Sequence, residues 1–203
     1  MDSSMKNVRS IPLKEIHGIG FTISSLVTKL VQLDYKLIPN LNYDSEGSPE
    51  DWIEITKKYP DSLVLMINNE NKIIGYLRFV AMKKKDFEIA KTGAFPEGLI
   101  NIETLDDINK PGRYFLYIIM IGIIDEMQHK GFLHPLLNAF FTRIEELEQK
   151  GVYFSEIGAN AYTSAGLNVL QRLGLKKTAP CIAGGEMHFC DFDSFWKNRK
   201  SLG

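Results

Sequence analysis

A short polar turn, Asp125-Glu126-Met127-Gln128-His129-Lys130-Gly131, joins an almost unbroken apolar run, Tyr114 to Ile124, to a stretch with strong helical periodicity. In that stretch, Phe132 to Lys150, the residues Leu133, Leu136, Leu137, Phe140, Ile144 and Leu147 fall on one stripe, and Gly151 sits where a helix C-cap belongs. A helix starting here leaves its first backbone N–H groups without intrahelical partners. The helix dipole adds roughly half a positive charge at that end. Gly131 lets the backbone approach an anion with no Cβ in the way. The chemistry this predicts is anion binding, with a pyrophosphate as the natural occupant. The contact positions are Gln128, His129, Lys130, Gly131, Phe132, Leu133 and His134. His129 and His134 are five residues apart, a poor separation for one helical face, which argues against a metal pair; no metal site is expected.

The elements that must position this turn follow from periodicity. Tyr114 to Ile123 reads as a central strand covered on both faces. Upstream, Phe21, Leu26, Leu30 and Leu33 mark a helix over 21–33, and Tyr35 to Ile38 reads as a short strand. Asn40 to Gly47 reads as a loop. Ser48-Pro49-Glu50-Asp51 supplies the N-cap, the proline and the acid that open a helix to about Lys58. Leu63 to Ile67 and Lys72 to Met82 form a hairpin around Asn68-Asn69-Glu70-Asn71. Residues 83–112 are the least regular, with a short helix near 86–91, and Lys83-Lys84-Lys85 reads as a solvated turn. Beyond the long helix come a strand from Val152 to Ala159, a helix from Ser164 to Leu173 stopped by Gly174, and two strands within 175–192 around Gly184-Gly185.

Composition narrows the class. The 203 residues are 44% hydrophobic and 24% charged, enough to enclose one core, so 1–203 reads as a single domain. Lysine plus arginine total 24 against 25 acidic residues, and a net charge of −1 gives no bulk reason to expect nucleic acid or membrane binding. The apolar run is too short to span a bilayer, and Met1 to Ser10 is polar. Cys181 and Cys190 stand in no disulfide or zinc framework, so the expected setting is cytoplasmic and reducing.

Gln128 and Gly131, placed between a strand and a helix, resemble the signature of the GCN5-related N-acetyltransferase family: Gln or Arg, two residues, Gly, one residue, then Gly or Ala. Ile123 to Met127 sits where that family has a hydrophobic residue and a turn before the signature. Ser164-Ala165-Gly166-Leu167-Asn168-Val169-Leu170-Gln171-Arg172-Leu173-Gly174-Leu175 looks like its second motif. The likeness covers roughly residues 60–192. Three positions depart from the pattern. Leu133 replaces the small residue of the signature. Leu170 stands where many members carry the tyrosine that protonates the departing thiolate. Thr163 stands where an asparagine commonly bonds the pantetheine arm, with Asn160 and Asn168 near enough in sequence to substitute.

The resemblance implies an α+β fold of the acyl-CoA N-acyltransferase type: a mostly antiparallel twisted sheet of about six to seven strands, flanked by about four helices. It implies acetyl-CoA as co-substrate and direct attack of a primary amine, from a small molecule or a protein, on its thioester. Pantetheine would run along Met120 to Ile123 as an added strand, contacting Ile121, Gly122 and Ile123, with Asn160, Ser164 and Asn168 nearby, and an N–H near Ile121 would hold the oxyanion. A carboxylate or tyrosine must take the amine's proton. Glu156, mid-strand, is the first choice, with an outward position or a pair with Arg113 as its alternative; Tyr117 is the second, and Tyr162 is the choice for thiolate acid. Residues 1–48 and 83–112 would build the acceptor side, and a homodimer is left open. The competing reading is a non-catalytic acyl-CoA-binding regulatory module of the same fold.

Overall fold

The computed structural model describes residues 8–199; the polar stretch 1–7 and the final four residues lie outside it. Seven strands form one sheet, in the order β1-β2-β3-β4-β5-β7-β6. They are β1 (Arg9–Ile11), β2 (Leu63–Ile67), β3 (Ile73–Met82), β4 (Gly112–Ile123), β5 (Val152–Ala161), β6 (Lys176–Pro180) and β7 (Glu186–Asp191). Every neighbouring pair is antiparallel except β4 and β5, which run parallel. A parallel pair needs a crossover, and helix α5 (Leu133–Gln149) supplies it.

Six other helices lie among the described residues: α1 (Ile23–Leu37), α2 (Tyr43–Glu46), α3 (Pro49–Lys58), α4 (Lys84–Lys91), α6 (Ser164–Arg172) and α7 (Phe192–Asn198). The sequence reading is corrected at four places. The residues read as a strand after Leu33 continue α1 to Leu37, because Leu30, Val31 and Asp34 carry its buried face onward. The loop before Gly47 contains α2, capped by Asn42. Strand β1 is three residues long and carries no readable alternation. Helix α7 follows β7 directly, its Phe192 and Phe195 closing an aromatic cluster with Phe140, Phe141 and Trp196.

Two features place the site. The β3–β4 ladder shifts register at Arg78/Phe79, where Met120 and Ile118 are the partners and Ile119 is the extra residue, so β4 bends there. The β4–β5 ladder stops at Ile118↔Ala159, while β4 stays paired with β3 to Ile123. The edge of β4 from Ile119 onward is therefore open on the β5 side, and the two strands part.

Candidate active site

The open edge of β4 leads into the polar turn found in the sequence. Gln128 faces inward: its Nε2 donates to the Ile123 carbonyl at 3.1 Å and to Asp125 Oδ1 at 2.9 Å, which holds the turn closed. His129 and Gly131 both have positive φ, 58° and 85°, so the chain reverses within four residues. A Cβ on Gly131 would meet nothing within 4 Å, so the space above the glycine is open. Helices α1, α2, α3, α6 and α7 each begin with a side-chain cap; α4 and α5 have none. Pro135, in the first turn of α5, brings no N–H at all. His129, Lys130 and His134 are exposed, and Phe132 and Leu133 are half-buried against the core.

On the β5 side of the gap, Tyr117, Asn160 and Tyr162 meet at one carboxylate, Glu97. Tyr117 Oη donates to Glu97 Oε1 at 2.6 Å, Asn160 Nδ2 reaches Oε2 at 3.2 Å, and Tyr162 Oη donates to the same oxygen. Glu97 is 4% exposed, and burial pushes its carboxyl above the usual carboxylate range against the three donors, which favour the anion. Both phenols are held protonated, by burial first and by the Glu97 charge second. Asn160 also donates to the Gly184 carbonyl at 2.9 Å, and its Oδ1 is buried without a partner. That oxygen lies against Gly185, where a Cβ would come within 2.4 Å of it.

Glu97 comes from the irregular segment before β4, in a short turn, Glu97–Leu99. The turn lies against α2 so closely that a Cβ on Gly98 would come within 2.5 Å of the Tyr43 carbonyl oxygen. Glycine at 98 therefore sets how deep Glu97 sits. Sequence reasoning missed it; its only signal is a carboxylate between Phe95 and Leu99 in a long connection.

Across β4 lies a second buried group. Tyr76 donates to Asp34, and Glu46 is buried close by. Burial lifts both carboxyls, Asp34 to about 7 and Glu46 to about 9, with their mutual repulsion contributing to the latter. Arg78 packs 4.7 Å from the centre of the Trp52 ring, and its Nη2 has no hydrogen-bond partner.

The remaining sequence candidates separate. Glu156 pairs with Lys91 at 2.5 Å, not with Arg113, and stands four residues before Asn160, about 13 Å along β5. Thr163 caps α6 through the Gly166 N–H at 3.0 Å. Ser164 and Asn168 are exposed on α6. Leu170 is buried beneath it, so that position faces the core. Ile121 and Ile123 are half-buried on the open edge of β4, with Gly122 buried between them. No group of three or more His, Cys, Asp or Glu gathers as metal ligands among the described residues.

No family model and no curated protein matches the sequence. Solved structures do match the fold. An acetyltransferase of the GNAT family from Staphylococcus aureus Mu50 aligns with a TM-score of 0.55 and 9% identity, over 91% of this chain and 99% of that one. A chain of the NatC complex bound to Gag peptide and CoA aligns with a TM-score of 0.56 and 13% identity, over 90% and 96%. Arabidopsis thaliana NAA60 in complex with a bisubstrate analogue gives 0.52 and 11%, over 91% and 98%.

Proposed function

We propose that this chain, whose fold is that of the GCN5-related N-acetyltransferases, transfers an acetyl group from acetyl-CoA to a primary amine. The observation that carries the reading is the parting of β4 and β5 at Ile119, between the uncapped start of α5 and the Glu97–Tyr162 pair. In this reading the pyrophosphate sits on the N–H groups around Gly131, and the pantetheine pairs with the open edge of β4 from Ile121 to Ile123.

The acceptor arrives as an ammonium, with a reference pKa near ~10.4, and must lose a proton before it attacks. Glu97 is the base, directly or through one water. The amine nitrogen then bonds to the thioester carbonyl carbon, and a backbone N–H of the open β4 edge holds the oxyanion. The C–S bond breaks, the nitrogen releases its second proton to water, and the Tyr162 hydroxyl gives its proton to the leaving thiolate. Tyr162 recovers a proton from Glu97, to which it is already hydrogen-bonded. Tyr117 orients Glu97 from the opposite oxygen. Leu170 needs no replacement on α6, because the acid comes from the residue just past β5. Two free cysteines suit a reducing, cytoplasmic setting.

The test is release of free thiol from acetyl-CoA by the purified chain, with amines supplied one at a time and CoA affinity measured alongside. Amine-dependent release supports the reading. Tight CoA binding with no release by any amine replaces it with the non-catalytic acyl-CoA-binding module.

A further inference from the structure

A cleft of about 640 Å³ opens on the β3 side of β4, away from its open edge, between α1 and the β2–β3 hairpin. That volume falls in the roughly 300–1,000 Å³ range of sites for small organic ligands. Local structure fixes both rims. Gly20, at a φ of 87°, and the Phe21 N–H bond to the Ile16 carbonyl at 3.0 Å set residues 19–21. The Asn68 side-chain oxygen accepts from the Glu70 and Lys72 N–H groups, at 3.0 Å each, and sets residues 70–73. The apolar lining is Ile19, Phe21, Leu33, Ile73 and Ile124, each only half-buried. The charged lining is lopsided: Lys29, Lys36 and Lys72 against one carboxylate, Glu70, which Lys72 already holds at 2.7 Å. Lys29, Gln32, Leu33 and Lys36 share one face of α1, at i, i+3, i+4 and i+7. Neither Lys29 nor Lys36 has a carboxylate within 4 Å among the described residues; Lys29 Nζ lies 4.8 Å from the centre of the Phe21 ring instead. Seven residues span about 10 Å of helix axis, a distance that two lysine stems can close around an anion held level with Gln32.

We infer that this cleft is a second ligand site, for a small carboxylate with an aliphatic body. The carboxylate lies between the Lys29 and Lys36 ammoniums, with the Gln32 amide as a neutral donor, and the chain covers Leu33, Ile73 and Ile124. A neutral alcohol of the same length gains the apolar contact without the charge, and an amine meets three like charges. A short acid gains the charge and leaves the apolar lining wet. Because the cleft and the open edge lie on opposite sides of β4, its ligand does not compete with acyl-CoA. The inference holds whether or not the chain transfers acyl groups.

Octanoate is the probe, titrated calorimetrically into the full chain, with octanol, octylamine and acetate as comparisons. The expected Kd for octanoate is below about 1 mM and at least about tenfold tighter than for each comparison. It should weaken as salt is added, because exposed ion pairs are screened. Lys29→Glu and Lys36→Glu alter exposed positions on α1, so their melts should match the wild type while each raises the octanoate Kd at least about tenfold. Lys36→Arg keeps the charge and should keep the affinity. No binding of octanoate at about 1 mM overturns the inference, as does equal affinity for octanol or octylamine. An affinity unchanged in both charge-reversal variants overturns it as well. Displacement of octanoate by CoA would assign the cleft to the cofactor and overturn it too.

Discussion

Glu97→Gln is the substitution that separates a catalytic carboxylate from a structural one. The side chain keeps its shape, but the amide offers one acceptor oxygen where the carboxylate offered two: with that oxygen toward Tyr162 and Asn160, its NH2 faces the Tyr117 hydroxyl, which must turn to accept. Each exchanged hydrogen bond is weakened by about 1 kcal/mol, since bonds to charged groups contribute about 1.5–3 and neutral ones about 0.5–1.5. Relief of the buried charge offsets part of that, because burial already works against the Glu97 anion. The net cost is about 1–2 kcal/mol, a Tm shift of roughly 2–8 °C for a chain of this size. A lost general base is worth far more, about 10²–10⁴ in kcat. The assay is thiol release from acetyl-CoA over a pH series with a saturating aliphatic amine, paired with a thermal melt. The expected outcome is a kcat at least about a hundredfold lower near neutrality, with a deficit that shrinks as pH nears the amine's own value of ~10.4, where free amine needs no base. Two results would refute the reasoning. One is an unchanged kcat, and the other is a loss that tracks unfolding and is flat in pH. Glu156→Gln is the companion variant. It breaks a partly exposed pair with Lys91, costs at most about 1 kcal/mol, and should leave kcat and its pH profile unaltered.

Tyr162→Phe removes the thiolate acid, and turnover should drop by about 10²-fold while CoA affinity holds; unchanged turnover would strike Tyr162 from the mechanism. Gly131→Ala meets no steric obstacle but forces a φ of 85° on a residue with a Cβ, at about 1 kcal/mol. KM for acetyl-CoA should rise severalfold with a small fall in Tm, and an unmoved KM would show that the turn does not hold the pyrophosphate. The Asp34–Glu46 pair predicts an unusual stability profile. Folding raises both carboxyls, to about 7 and about 9, so the folded chain holds protons that the unfolded chain has released. Their contribution is complete below the unfolded values of 3.8 and 4.5 and is lost as pH rises through about 7 and then about 9. Melting temperature should therefore decline across that window, and Glu46→Gln should flatten its upper part; a Tm that climbs with pH there would contradict the burial argument.

The sequence by itself determined the frame. The apolar run of β4, the stripe of α5, the hairpin at Asn68 to Asn71 and the glycine-containing turn at Gln128 to Gly131 are local patterns, set by side-chain period and backbone freedom, and they survive any packing that buries them. It also supplied Tyr117, Asn160 and Tyr162. What it could not supply is the residue on which they converge. Glu97 lies 63 residues before Asn160 and 65 before Tyr162, in a segment without periodicity, and it reaches them only because Gly98 lets the turn settle against α2. Glu156 had the stronger local argument, a carboxylate inside a strand, and Lys91 at the end of α4 answers it from far outside that window. Asp34 had even less signal, because a polar residue on an apolar helix face declares its role only once Tyr76 and Glu46 stand beside it. Local pattern fixes which elements form and which way they face. Only tertiary structure decides which buried charge meets which partner, since that depends on contacts between segments whose sequences carry no information about one another.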